Sequence, residues 1–409
     1  MPANPHRVVL VLPESPYPPN WGNALRDVQQ IILLQRLGYQ VELLCIRPRI
    51  GSSASADRAA AAAAGIRMEL ISEQVQDDCE SWSVRARRKI GYLSRDNASN
   101  PFAWWCRPYA LPATMPRRIA AMDPTAVILR SLFVDALPAL RREFRGTIVI
   151  DCHDADVHLA REMVRSVPWW QALGPWANYI GVRTVCRKFL PLADELWAVS
   201  AEDAARIGAI AGMTPVLVVP SSVDESQVVP APAPGRNDVC AMVANYGYGP
   251  NLNAARWLVK RVWPRVRRVR PAARLLLVGG RAEDEVRRLA AGEHGVTVTG
   301  CLADLGPVYA EAGVMLAPLF EGGGSRLKIV EAWKHGKAVL TTSKGIEGIA
   351  APQSTAVIRD EPETYATALT WLMGDSAERR CLGEAGRRFV AEQLSFERVT
   401  EELASRSLL

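Results

Sequence analysis

No stretch of this chain is apolar for the roughly 18 residues that a membrane-spanning helix needs. The N-terminus, MPANPHRVVLVLPES, offers only the short apolar run Val8 to Leu12, with no small-residue cleavage site behind it, so it does not read as a secretory signal. The eight cysteines (45, 79, 106, 152, 186, 240, 301, 381) stand far apart with no CxxC pair. That excludes a zinc knuckle or a disulfide frame and leaves buried or incidental thiols in a reducing compartment. A cytoplasmic protein is expected. The net charge is mild, +6 with a pI near 8.9. This suits an anionic substrate or weak attraction to an acidic membrane surface. It lacks the concentrated basic stripe that nucleic acid demands, so no nucleic-acid partner is expected. Pro13 to Arg26 has no G-x-G-x-x-G, which argues against a nicotinamide-dependent oxidoreductase.

What is present is an alternation of short apolar runs and longer helical patterns, the signature of parallel sheets covered by helices. Val8–Leu12 is apolar throughout, as a strand buried on both faces must be. A helix from about Ala24 to Leu37 and a strand over Val41–Ile46 complete a βαβ unit. Ser52 to Ala64 is alanine-rich, and Glu73 to Arg118 has no clear period. Further strands are expected at 126–129, 147–150, 195–199 and 216–219. The segment 228–237, VVPAPAPGRN, can continue neither kind of element and reads as a linker. Beyond it the alternation restarts, with strands at 239–243, 273–278, 296–299, 314–317 and 338–341 and a helix over 253–268. The fold class is α/β: two facing Rossmann-like domains with an inter-domain cleft, over 1–228 and 238–386, with 387–409 as a closing helix. Ligands in such sheets bind beyond the carboxyl ends of the strands.

One segment carries the chemistry. After the strand Val314–Ala317 comes Pro318-Leu-Phe-Glu-Gly-Gly-Gly324, then a helical pattern from near Ser325 to about His335. Gly322, Gly323 and Gly324 let backbone amides approach a ligand. The helix start adds unpaired N–H groups and the positive end of its dipole. Arg326 and Lys328 fall in the expected first turn, where cations are unfavourable unless an anion sits nearby. The pattern suits a diphosphate, with Glu331 a turn further in as an acceptor for sugar or ribose hydroxyls.

GGGSRLKIVEAWKHGKAVLTTSKGIEG resembles the donor-binding region of GT-B glycosyltransferases, in particular glycosyltransferase family 4. Pro13–Arg26 is similar to the loop that borders the acceptor in that family. IVIDCHD, at 148–154, resembles its strand ending in a histidine that faces the donor sugar. Segments 219–224, 251–258 and 387–397 are similar to its pre-linker, first C-domain helix and closing helices. The resemblance implies transfer of a sugar from a nucleotide-diphospho-sugar to an acceptor hydroxyl, with retention and without a metal or other cofactor. The setting it implies is cell-surface or exported polysaccharide synthesis on a glycan, lipid-linked or small-molecule acceptor. Arg326 and Lys328 would hold the diphosphate with the amides of Gly323 to Ser325, and Glu331 the ribose. The backbone at Gly300, Cys301 and Leu302 would meet the base, and His153 would serve the donor sugar. The N-terminal domain would bind the acceptor and the C-terminal one the donor.

There are departures. Many members place a first glutamate eight positions before the second. Here that position is Gly323, and the nearest glutamate is Glu321, ten before. The loop Ala244–Pro250 carries no cation where many members have an arginine and a lysine. Glu347 is a further donor-side candidate, and Gly22 and Arg26 are acceptor-side candidates, although an arginine early in a helix is commonly solvent-exposed. Asp154-Ala-Asp156 spells D-x-D but is expected to cap the following helix rather than bind metal. Arg85, Arg87, Arg88 and Lys89 beside Trp82 form a basic segment that could rest on lipid, and Trp104, Trp105, Trp169 and Trp170 could meet sugars or a lipid carrier. An epimerase acting on a sugar-nucleotide, or a non-catalytic carbohydrate-binding protein, would use the same fold.

Overall fold

The computed structural model describes residues 6–19, 22–48, 52–71, 111–166, 168–228, 235–280, 282–302, 304–324 and 326–409. The chain forms two compact units, one of Met1–Pro220 with Thr400–Leu409 and one of Ser221–Val399. The division falls ahead of the proline-rich stretch 228–237. Val223 draws the preceding segment into the second unit by donating to the Leu394 carbonyl and accepting from the Phe396 amide. The last residues return to the first unit through Glu195, whose carboxylate accepts from Ser407 Oγ and the Leu408 amide, each at 2.7 Å.

The first unit holds a parallel sheet of order β3-β2-β1-β4-β5-β6-β7. Its strands are β1 (Arg7–Glu14), β2 (Gln40–Arg47), β3 (Arg67–Leu70), β4 (Ala126–Arg130), β5 (Thr147–Cys152), β6 (Glu195–Ala198) and β7 (Val216–Val218). The continuous apolar runs predicted strands buried on both faces, and Val8 to Leu12, Val127 to Leu129 and Ile148 to Ile150 are fully buried. Val9, Val11, Val127, Leu129, Ile148 and Ile150 share one cluster, so alternate side chains build each face. The alanine-rich stretch is a helix, Ala54–Ala63, capped by Ser53 Oγ.

The second unit repeats the plan in the order β10-β9-β8-β11-β12-β13, again parallel. These are β8 (Arg236–Val243), β9 (Arg274–Val278), β10 (Val296–Gly300), β11 (Ala312–Ala317), β12 (Ala338–Thr341) and β13 (Ala356–Ile358). Cys240, Met242, Leu275, Leu277, Val314 and Leu316 pack toward Trp263, Tyr365 and Leu369. Their neighbours Val239, Ala241, Leu276, Val278 and Met315 pack toward Ile329, Val330 and Trp333. The predicted helix 253–268 starts earlier and is interrupted: Gly249–Trp257 runs through a π turn, Leu258–Val262, into Trp263–Val269. Strand order reverses between β1 and β4 and between β8 and β11. A doubly wound sheet opens its ligand crevice at such a reversal.

Candidate functional site

In the second unit the reversal brings together the loops after β8 and β11. The first is Ala244 to Tyr248 and the second is Pro318 to Arg326. Gly279, at φ +134°, lets the backbone pass the Ala244 carbonyl so closely that a Cβ would lie 1.8 Å from its oxygen. The two loops are linked by side chains. Asn253 Nδ2 donates to Glu321 Oε1 at 2.6 Å, and Lys328 Nζ donates to Asn251 Oδ1 at 2.5 Å. Gly322 lies against Tyr248 and Pro250, where a Cβ would meet the phenol oxygen at 2.8 Å.

Gly322 and Gly324 have φ of +89° and +87°, conformations that a side chain would strain. The amides of Gly322, Gly323 and Gly324 donate to no described residue, an unusual state for backbone in a loop this enclosed. The helix is shorter than the sequence suggested, Leu327–Lys334, and Ser325 lies outside the described residues. Arg326 is therefore not in the first turn. It precedes the helix in the left-handed region, φ +49°, and supplies no side-chain cap. Its guanidinium folds back to donate to the carbonyls of Gly323 and Gly322, both at 2.9 Å. Arg326 thus braces the glycine loop, while Lys328, the second residue of the helix that follows, reaches across to Asn251. Burial, with repulsion from Arg326, pushes the Lys328 ammonium down to about 7. No carboxylate among the described residues pairs with it.

The remaining donor-side candidates lie on this helix and on other elements of the second unit. Glu331 is in the second turn of the helix and pairs with Lys334 at 2.9 Å. Glu347 follows the short helix Ser343–Ile346 and pairs with Lys344 at 2.6 Å. That helix is tied to the loop after β11 because Thr342 Oγ1 donates to the Leu319 carbonyl and Thr341 Oγ1 to the Ala317 carbonyl. Gly300, at φ +73°, ends β10 against the Glu283 carboxylate; Cys301 is exposed and Leu302 packs on the core. Asn251 and Asn253 were not singled out from the sequence. Their signal was two asparagines just inside a helix that begins Gly249-Pro250.

In the first unit, β4, β5 and the helix Gly22–Arg36 that follows β1 converge on a buried ionic cluster. Gly22 is the first residue of that helix. Arg26 is only 2% exposed, contrary to the expectation for an early-helix arginine, and its guanidinium lies 3.3 Å from Asp151 Oδ1. Arg130 is 2.5 Å from Asp27 and 3.8 Å from the Asp151 carboxylate. His153 Nε2 lies 2.7 Å from Asp151 Oδ2 and also faces Arg130. Burial, then repulsion from Arg130, pushes His153 down to about 3 against the pull of Asp151, so the ring is neutral at pH 7. Burial would raise Asp151, yet His153, Arg26 and Arg130 hold it far below the ordinary carboxylate range. Burial raises Asp27 to about 6 despite Arg130. With Nε2 engaged, Nδ1 is the ring atom that bonds to no described residue.

Asp156 begins the helix Asp156–Ser166 and lies in its first turn, and the Asp154 backbone carbonyl accepts from the Asp156 amide. Both aspartates line a cavity of about 190 Å³ with Arg161, Arg183 and Arg206, neighbours ill suited to a metal cation. The basic segment 85–89, Trp82, Trp104 and Trp105 lie outside the described residues.

Two doubly wound parallel units, one with a glycine cradle and a cation at its strand-order reversal, define a GT-B glycosyltransferase architecture. Solved structures of that fold match the whole chain. They include sucrose-phosphate synthase from Thermosynechococcus elongatus (16% identity, TM-score 0.70, 98% of each chain). Anabaena HepE in complex with UDP and glucose is similar too (13%, TM-score 0.65, 97% of this chain and 98% of that one). So is WaaG, a glycosyltransferase involved in lipopolysaccharide biosynthesis (14%, TM-score 0.64, 97% and 98%). No curated protein sequence matches. Residues 237–375 match the family model for glycosyl transferases group 1. The chain thus has the GT-B fold, and its second unit carries the stretch that is similar to glycosyl transferases group 1.

Proposed function

We propose that the second unit binds a nucleotide-diphospho-sugar and that the enzyme moves the sugar, with retention, to an acceptor hydroxyl bound by the first unit. The carrying observation is Lys328, a desolvated cation without a carboxylate partner among the described residues, in the first turn of the helix that follows three glycines whose amides donate to no described residue. A desolvated cation is costly unless an anion answers it. As the bond from the anomeric carbon to the diphosphate breaks, charge grows on the leaving phosphate. Lys328 and the amides stabilise that charge where it develops. The acceptor oxygen attacks from the face the phosphate leaves, and the phosphate takes its proton. Arg326 keeps the glycine loop in shape, Glu331 holds the ribose, and His153 Nδ1 serves a substrate hydroxyl. Protein cations do the work that a metal does elsewhere, so activity should survive chelation.

The reading places the enzyme in the cytoplasm, in synthesis of cell-surface or exported polysaccharide, with peripheral contact at the membrane. Among the described residues no helix is long and apolar enough to cross one. Thermal unfolding with UDP, GDP and dTDP and their sugars tests it. One nucleotide at 100 times its Kd should add about 2.7 kcal/mol, and no shift with any of them would defeat the reading. Conversion of a donor sugar to its epimer without acceptor would favour epimerase chemistry instead.

A further inference from the structure

The helices Asp156–Ser166 and Leu173–Phe189 form a hairpin in the first unit whose tip does not pack on the core. Trp169 is 84% exposed, Leu173 79%, Trp170 66%, Met163 54% and Trp176 52%. A soluble surface rarely displays so many large apolar side chains together. Residues 166–182 contain no charged side chain at all. The charges resume abruptly on both sides, with Arg161 and Arg165 before the gap and Arg183, Arg187 and Lys188 after it. Against these five cations the hairpin has two carboxylates, Asp156 and Glu162, and Glu162 faces His158 at 3.2 Å.

We propose that this hairpin docks the enzyme on an anionic phospholipid bilayer. The tryptophans would enter the headgroup boundary and the flanking cations would meet lipid phosphates. An amphipathic tryptophan suits that boundary because its ring is apolar while its N–H can stay wet. Basic residues around such a tip are drawn by the negative surface potential. The cavity lined by Arg161, Arg183 and Arg206 lies at the same helices, and a second cavity of about 200 Å³ opens between them, lined by Leu159, Met163, Val182 and Val185. One offers cations to a headgroup and the other apolar walls to a chain. A second copy of this protein is the poorer occupant, because a two-fold contact would press the same cationic shoulders together. The inference rests on this surface and not on the sugar-transfer reading.

The test is co-sedimentation of the full chain with vesicles of phosphatidylcholine alone or mixed with phosphatidylglycerol. Binding to the mixed vesicles is expected, weaker in high salt and on phosphatidylcholine alone. Trp169→Ser with Trp170→Ser and Trp176→Ser should weaken it about tenfold or more, and Arg165→Glu with Arg187→Glu should weaken it on the mixed vesicles only. Brominated lipids should quench the wild-type tryptophan emission, a measurement that needs no variant to fold. Absence of binding, binding unchanged in the tryptophan variant, or bound protein without quenching would each overturn the proposal. So would a dimer that the tryptophan changes dissociate while vesicle binding stays the same.

Discussion

Replacing Lys328 by alanine should lower sugar transfer by about 10²- to 10³-fold, the loss usual when one preorganised charge at a developing anion is removed. Little stability should go with it. The ammonium is desolvated, repelled by Arg326 and held by one hydrogen bond to Asn251, so its removal relieves as much as it breaks. Arg326→Ala should behave differently. It removes the donors to the Gly322 and Gly323 carbonyls, so activity and melting temperature should fall together. Arg326→Gly would relieve the left-handed backbone, worth about 1–2 kcal/mol, while still losing those bonds. Protonation supplies a second readout. With the free ammonium near 7, a bound diphosphate must raise it, because an anion favours the charged form. Donor binding at pH 8 should then take up protons, and donor affinity should fall as pH rises above 7. Calorimetry in two buffers of different ionisation enthalpy measures the uptake, which Lys328→Ala should abolish. Turnover of that variant within a few-fold of wild type would remove Lys328 from the proposed role.

The sheets were legible because parallel strands buried on both faces are apolar without interruption, as Val8 to Leu12 and Val314 to Ala317 show. The glycine run was legible because Gly322 to Gly324 can serve few purposes other than a close approach. The geometry of Arg326 was not, since its left-handed backbone and return to two carbonyls depend on how the loop closes against Tyr248 and Pro250. The same holds for the first unit. His153 and Arg26 stood out by type and position, but Asp27, Arg130 and Asp151 come from three elements far apart in sequence. Only the sheet order, which sets β4 between β1 and β5, brings them into one cluster. The domain division shifted for a related reason: Val223 is fixed by bonds to Leu394 and Phe396, which local composition around the linker does not encode.

That cluster gives the second large effect. Asp151→Asn should destabilise the first unit by about 3–5 kcal/mol, the usual result of removing one partner from a buried ion network. At about 2–4 °C per kcal/mol for a unit of this size, its melting temperature should fall by roughly 6 to 20 °C. The asparagine can still accept a hydrogen bond, but Arg26 and Arg130 would then share a single carboxylate, Asp27. The cluster also sets a pH dependence with two opposed parts. His153 titrates lower in the folded state, near 3, than its ordinary 6.5. Its contribution is therefore complete above 6.5 and is lost as pH falls toward 3. Asp27 titrates higher, near 6 against 3.8, so its contribution is complete below 3.8 and is lost as pH rises through 6. Relative to wild type, His153→Asn should gain stability on acidification from pH 6.5, and Asp27→Asn should gain it as pH rises from 4 to 6. Melting temperatures of both variants across that range decide the point. If the two difference curves slope the same way, the histidine is not held neutral by burial and Arg130, and the cluster is wired differently.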